Sequence, residues 1–486
     1  MSIERTIGGD RNGSYLSILG DKDIERIHSS AYEVLIKTGM VILDRESLDL
    51  LEGAGCRVSR QEQRAFLPAE VIEEALKACP AVVKLYNRMG EEAMVLGSGA
   101  FHTRSSSGAT GILDLDSGKR RTPTVQDAVA AARLADALPH IDGVSSMAVQ
   151  PAELEVSTVD VHVMRIALEN SIKPIGYVCL NQDLIPKVLE MTAAVVGGEQ
   201  ALSKKPIITA LTESTSPLRL VSSQLTVLKA FASRRLPVTL HAHPMAGFTA
   251  PVTLAGELVI THAEILALVT LAQLVSPGAP VIYGMSSSVP DMRSGMNLSG
   301  APEIGLLGTA VARLAKFCGL PCLVSTGTDA HAPGAQSVLE RLMTLLPPAL
   351  AGVDLVNLTT LGTKMSFCME QLVLDDMLVS MVRHLLQGIG VDEESLALDL
   401  IDEVGPGGAY LATDHTRQYH RKELLTPDLI TRTSRESVEE GDTPDLVDNA
   451  RQKVRQMLAE HSAPPLAGQV KEQLDAIVEE VEKRAS

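Results

Sequence analysis

LPVTLHAHPMAGFTAPVTLAGELVITHAE, residues 236–264, decides the fold. Val238, Leu240 and their neighbours form a short apolar run between Pro237 and Pro244, which predicts a buried strand. That strand ends on His241 and His243. A loop of small residues, Pro244 to Phe248, leads into a helix with Thr249 as the expected N-cap and Pro251 in the first turn, where a missing N–H costs little. Polar groups at the carboxyl end of a parallel strand are where α/β folds hold their chemistry.

The same unit repeats on both sides. Apolar or β-branched runs near 101–105, 143–149, 173–179, 206–212, 236–242, 279–285, 321–326 and 354–358 predict strands. Helical patterns follow them near 124–138, 155–170, 184–197, 217–234, 250–275, 302–317, 334–350 and 367–388. Such an alternation predicts an α/β fold of the (β/α)8 TIM type over residues 101–390. Residues 1–100 read as an N-terminal α+β cap, in which Ile24, Ile27, His28, Ala31 and Leu35 recur at helical spacing before Gly39. A second cap helix runs from Pro68 to Ala78. Residues 391–486 form a C-terminal extension with the turn EVGPGGAYL and two helices. Thr443 and Pro444 open the first of these. Val470, Leu474, Ile477, Val478 and Val481 stripe the second, which must cover its own barrel or a neighbouring subunit.

Composition removes several functions. A net charge of −17 argues against a phosphate-backbone partner, and a glycine-rich nucleotide fingerprint and a P-loop are both absent. No charge-free run reaches membrane-spanning length, residues 265–275 coming nearest. The start, MSIERTIGGDRNGSY, has charges where a signal peptide needs an apolar core. Six scattered cysteines make no disulfide framework, so a reducing cytoplasm is expected, with neither nucleic acid nor membrane as partner. Cys318 and Cys322, at a helix–strand junction, read as buried packing.

The motif PMAGFTAPVTLAGE, residues 244–257, resembles the trimethylamine methyltransferase family. So do PGAPVIYG at 277–284, ARLADALPHID at 132–142 and EVGPGGAYL at 403–411, and the resemblance spans roughly residues 20–480. It implies transfer of a methyl group from a methylated amine to Co(I) of a corrinoid held on a separate, cognate protein, with no cofactor bound tightly by this chain. It also implies some homo-oligomer. Part of the family activates trimethylamine through a pyrrolysine. This sequence has none and is similar to the other branch, whose members act on glycine betaine or related quaternary amines.

The strand ends line one mouth, with Arg104 and Ser105 to Ser107, Gln150, Tyr177 and Asn181, Glu213, His241 and His243, Tyr283 and Met285, and Thr359 to Gly362. The loop STGTDAHAPGAQS, residues 325–337, is the expected reaction centre, with Asp329 and His331 as catalytic candidates, although Asp329 could instead cap the helix near Pro333. For a betaine, the expected substrate-binding set is Arg104, Tyr177, Glu213, His241, His243, Tyr283 and Phe248. Aromatic faces or acidic groups would attract the cation, and Arg104 or a histidine would take the carboxylate. No metal ligands are assigned. His241-x-His243 leaves open a zinc-dependent barrel hydrolase, because alternate strand residues share a face. A non-catalytic betaine-binding homologue is the other alternative. Glu257, Thr261 and Glu264 read as an interface or solvent stripe, on a helix apolar enough to suggest subunit packing.

Overall fold

A computed structural model describes residues 16–105, 108–358, 360–432 and 445–485. Eight parallel strands form its centre: β1 (His102–Ser105), β2 (Val144–Ser145), β3 (Ile175–Tyr177), β4 (Ile208–Glu213), β5 (Val238–Ala242), β6 (Val281–Met285), β7 (Cys322–Thr326) and β8 (Leu355–Leu358). Each pairs with the next, β8 pairs with β1, and a bridge from Arg104 to Gly143 closes the ring between β1 and β2. Around it lie α1 (Val125–Ala137), α2 (Val159–Asn170), α3 (Ile185–Val196), α4 (Ser222–Ala232), α5 (Leu254–Val275), α6 (Pro302–Phe317), α7 (Ala335–Leu350) and α8 (Met369–Leu386). The fold is the expected (β/α)8 barrel. Helix α5 starts later than expected: Thr253 is its N-cap, while Thr249 accepts a hydrogen bond from the Met245 N–H inside the preceding loop.

One end of the barrel is shut. The hairpin Val83–Tyr86 and Glu92–Leu96 brings Val83, Leu85, Met94 and Leu96 against Ile282, Leu323 and Leu355 from three barrel strands. Burial of this apolar plug leaves the carboxyl ends of the strands as the entrance.

The cap explains why α5 is apolar on nearly every face. The cap helices Asp21–Glu33 and Ala69–Ala78 pack on its outer side, and β5 and β6 lie on its inner side. Its length and composition would suit a membrane span, but 78% of its most apolar window is buried within the protein. The suggestion that α5 packs against another subunit is thereby corrected, since this chain's own cap covers it. The solvent or interface stripe is corrected too, because Glu257, Thr261 and Glu264 are all fully buried. Glu264 accepts from Ser214 Oγ, Ser216 Oγ at 2.8 Å and the Leu218 N–H at 2.7 Å, tying down the loop after β4.

The C-terminal helices fold back on the barrel. Leu446–Glu460 packs on α1 and α8, and Gly468–Ala485 lays Leu474, Ile477, Val478 and Val481 on α2 and α3. The stripe therefore covers its own barrel. Asp445 caps the first of these helices through the N–H groups of Val447 and Asp448, and the expected starters Thr443 and Pro444 lie outside the described residues. Between α8 and these helices, Glu393–Leu396, Leu398–Val404 and Asp414–Glu423 contain no buried residue, and Leu398 and Leu411 stand open.

Candidate active site at the barrel mouth

Successive side chains of a strand face opposite sides, so each barrel strand sends alternate residues inward. On β3, and on β6 beyond the inward Ile282 of the plug, the inward position near the mouth is a glycine, for want of space. A Cβ on Gly176 would lie 2.5 Å from Arg104 Nη1, and one on Gly284 would lie 2.0 Å from His241 Cδ2. The two glycines make room for the Arg104 guanidinium and the His241 imidazole within the barrel.

Arg104 is buried, and its Nε donates to Asn357 Oδ1 at 3.0 Å. Among the described residues no carboxylate lies within ion-pair distance of it. Burial lowers its pKa to about 10, so the guanidinium remains a cation at neutral pH. His241 lies beside it, and burial, reinforced by Arg104, Lys364 and His243, holds the imidazole neutral with a pKa well below the usual histidine range. His241 Nε2 has no hydrogen-bond partner. Ser288 Oγ after β6 and Thr360 Oγ1 after β8 are further buried polar atoms without partners at this end, while the Ser287 side chain faces the buried Glu257 carboxyl. Buried polar groups are normally satisfied, so their gathering at one end makes it the candidate ligand site.

Above Arg104 the mouth carries one acid and two more basic side chains. Glu213, half-buried at the end of β4, has its carboxyl raised by burial and partly returned by Lys364. His243 is held neutral by burial and by Lys364, its pKa lowered to about 3. The Lys364 ammonium donates to Ser286 Oγ, and burial lowers its pKa to about 8 against the opposing pull of Glu213 and Asp329.

Lys364 is the residue that sequence reasoning missed. Gly362, Thr363 and Lys364 all have positive φ, at 56°, 55° and 73°. Two consecutive non-glycine residues in the left-handed region are a strain that surrounding contacts must hold. The loop after β7 supplies those contacts: the Gly362 N–H donates to Ala330 O at 2.9 Å, the Thr363 N–H donates to Thr328 O, and Thr363 Oγ1 donates to Asp329 Oδ1 at 3.2 Å. Nothing in LGTKMS announces this turn.

Several expected site residues lie elsewhere. Because Gly176 and Gly284 face inward, Tyr177 and Tyr283, each one residue away along its strand, face outward. The Tyr177 hydroxyl donates to Asp160 Oδ2 on α2 at 3.0 Å, and Tyr283 Oη lies 2.9 Å from His262 Nδ1 on α5. Both assignments to the mouth are corrected by strand parity. Asp329 accepts from the N–H groups of Ser299 and Gly300 at 2.8 and 2.9 Å as well as from Thr363. It is a clamp that holds the Lys364 turn, neither a free acid nor the cap of the helix near Pro333. His331 is exposed beside Gly362, and Phe248 stands 61% exposed on the rim. Arg104, Glu213, His241 and His243 are brought together as expected. Ser106, Ser107 and Thr359 lie outside the described residues. His241 and His243 have no third metal-binding donor at close range among the described residues, and the one such trio is His28, His262 and Cys318, outside the barrel.

The family model for trimethylamine methyltransferase (MTTB) matches residues 7–485. The glycine betaine methyltransferase of Desulfitobacterium hafniense is 31% identical over 465 residues, covering 95% of this chain and 96% of that protein. Trimethylamine methyltransferase MttB1 of Methanosarcina mazei is 33% identical over 479 residues, covering 97% and 96%. Among solved structures, the monomethylamine methyltransferase (MtmB) of Methanosarcina barkeri aligns over 93% of this chain and 90% of its own, with a TM-score of 0.48 and 11% identity. The chain belongs to the trimethylamine methyltransferase family and is a methyltransferase.

Proposed function

We propose that the enzyme takes a methyl group from a small quaternary amine bearing a carboxylate, glycine betaine first among them, and passes it to Co(I) of a corrinoid on a cognate protein. The observation that carries this reading is Arg104, a buried cation without a carboxylate partner among the described residues, in a mouth that also holds Lys364 and Glu213. A betaine is the complementary zwitterion. Its carboxylate suits Arg104, with Lys364 and His241 Nε2 as further donors, and its ammonium suits Glu213. With Tyr177 and Tyr283 facing outward, the cation relies on the acid more than on aromatic faces. The similarity to a glycine betaine methyltransferase supports the same substrate class.

The chemistry asks little of the protein in proton transfer. One N–CH3 bond breaks, its electron pair stays on nitrogen, and the product is a neutral tertiary amine that needs no general acid. Co(I) supplies the electron pair that takes up the methyl. Catalysis is then positioning and water exclusion: the carboxylate is fixed at depth so that one methyl is aimed out of the mouth. The loops around that mouth expose Val156, Leu180, Phe248, Val252, Met292 and Met365. An apolar rim of this kind suits docking of the corrinoid protein face-on to the entrance. A homo-oligomer would draw on the open apolar residues between α8 and the C-terminal helices, and the six free cysteines suit a reducing cytoplasm.

Purified protein incubated with chemically reduced cob(I)alamin tests the reading. Glycine betaine, carnitine, proline betaine and trimethylamine are added in turn, following methylcobalamin by its spectrum and the demethylated amine by mass. Methylcobalamin with a carboxylate-bearing quaternary amine is the expected result. Turnover of trimethylamine alone, or of none of the four, contradicts it.

A further inference from the structure

We propose that His28, His262 and Cys318 form a transition-metal site, best matched to zinc, that pins the N-terminal cap to the outside of the barrel. The three come from distant parts of the chain: the cap helix Asp21–Glu33, the middle of α5, and the C-cap of α6. Their donor atoms lie within 4.8 Å of one another. His28 Nδ1 is 2.8 Å from His262 Nε2, and Cys318 Sγ is 4.0 Å from the same His28 nitrogen.

These spacings suit an ion. Tetrahedral zinc with ordinary Zn–N and Zn–S bonds sets its ligand atoms roughly 3.3–3.6 Å apart. The two His28 pairs bracket that range, one shorter and one longer by about half an ångström, and the third pair, Cys318 with His262, lies within 4.8 Å. Mixed imidazole and thiolate ligation is what zinc favours over harder cations.

The surroundings orient the ligands for this purpose. His262 Nδ1 is engaged by Tyr283 Oη at 2.9 Å, which leaves Nε2 directed at His28. A hydrogen bond at the far nitrogen is the usual way that a metal-binding histidine is held in one tautomer. Burial disfavours the charged form of both imidazoles, and metal binding would replace the hydrogen bond between His28 Nδ1 and His262 Nε2, with the proton between them moving to the far nitrogen of His28. Cys318 is held as the thiol by burial, with Cys79 raising it further, to about 12. Metal binding replaces the thiol proton, which leaves to solvent, by an S–metal bond. Cys79, the C-cap of the cap helix Ala69–Ala78, acts electrostatically on Cys318 and is the candidate for a fourth ligand, which would give a closed two-cysteine, two-histidine set. Such a closed set is structural. It stands on the opposite side of the barrel wall from the mouth and takes no part in methyl transfer.

The test uses the full-length protein, stripped with a chelator and titrated with Zn2+ and separately with Co2+. The expected result is one tightly held Zn2+ per chain, a rise of several degrees in the thermal midpoint, and a thiolate-to-cobalt charge-transfer band with Co2+. Cys318→Ser and His28→Gln should each lose the stoichiometric ion, and Cys318→Ser the band, while His241→Ala keeps both. A wild-type protein that binds no ion, or binds Co2+ without the thiolate band, overturns the proposal, as does binding that survives in both ligand variants. Should either variant fail to fold, the wild-type cobalt spectrum decides alone. Each outcome is independent of whether glycine betaine is the substrate.

Discussion

His241 and His262 stand on opposite sides of the same wall, one inside the barrel at the end of β5 and the other on α5, which follows it. Both are buried, and burial holds both neutral. Their surroundings differ. His241 has an unpartnered Nε2, a cationic neighbour in Arg104, and an interior glycine that makes room for it. His262 has both ring nitrogens engaged, by Tyr283 and by His28, in a layer shared with the cap. The difference teaches that unsatisfied polarity, rather than residue type or sequence spacing, separates a candidate ligand site from a contact that holds the protein together.

The comparison can be broken most severely at Arg104. Replacing it with Gln removes the buried charge expected to bind carboxylate, which should cost about 2–5 kcal/mol in transition-state binding, thirty-fold or more in kcat/KM for glycine betaine. Circular dichroism should show the fold retained. On the other side of the wall, His262→Ala leaves Tyr283 Oη without its partner, which should cost about 1–3 kcal/mol of stability in denaturant unfolding. Its kcat/KM should stay near that of the wild type. Equal losses of activity from His262→Ala and Arg104→Gln would erase the distinction.

Gly284→Ala tests the crowding inside the barrel. The added methyl meets His241 directly, so steady-state kinetics should show a loss of about tenfold, within the usual overpacking penalty of about 1–3 kcal/mol. The smallest effect concerns pH. With its pKa lowered to about 8, Lys364 is a cation below that value and neutral above it, so 1/KM for glycine betaine should fall as pH rises through about 8. Lys364→Met should flatten that limb of the profile, and a profile unchanged by the substitution would remove Lys364 from substrate binding.

Much of the barrel is legible in the sequence, because most strands are apolar runs close to a proline or glycine and the helices carry their own period; β1, His102–Ser105, is polar and is the exception. The bounds of β5, β6 and β7 agree with the expected ones to within two residues. The site is less legible for three physical reasons. Parity decides which side of a strand a residue faces, and one position separates inward Gly176 and Gly284 from outward Tyr177 and Tyr283. The Lys364 turn depends on contacts from a loop about thirty residues earlier, and Thr363 in a left-handed conformation carries no local signature. His28 and His262 are 234 residues apart, so no motif could pair them. Arg104, Glu213, His241 and His243 stand out in the sequence because each is a polar side chain at or just past the end of an expected strand.

The most direct test compares glycine betaine with choline, which keeps the quaternary nitrogen and lacks the carboxylate, in the wild type and in Arg104→Gln. The ratio of their kcat/KM values for methylcobalamin formation isolates recognition of the carboxylate. The account predicts a large preference for glycine betaine in the wild type that collapses in Arg104→Gln. A preference that survives the substitution unchanged would contradict it.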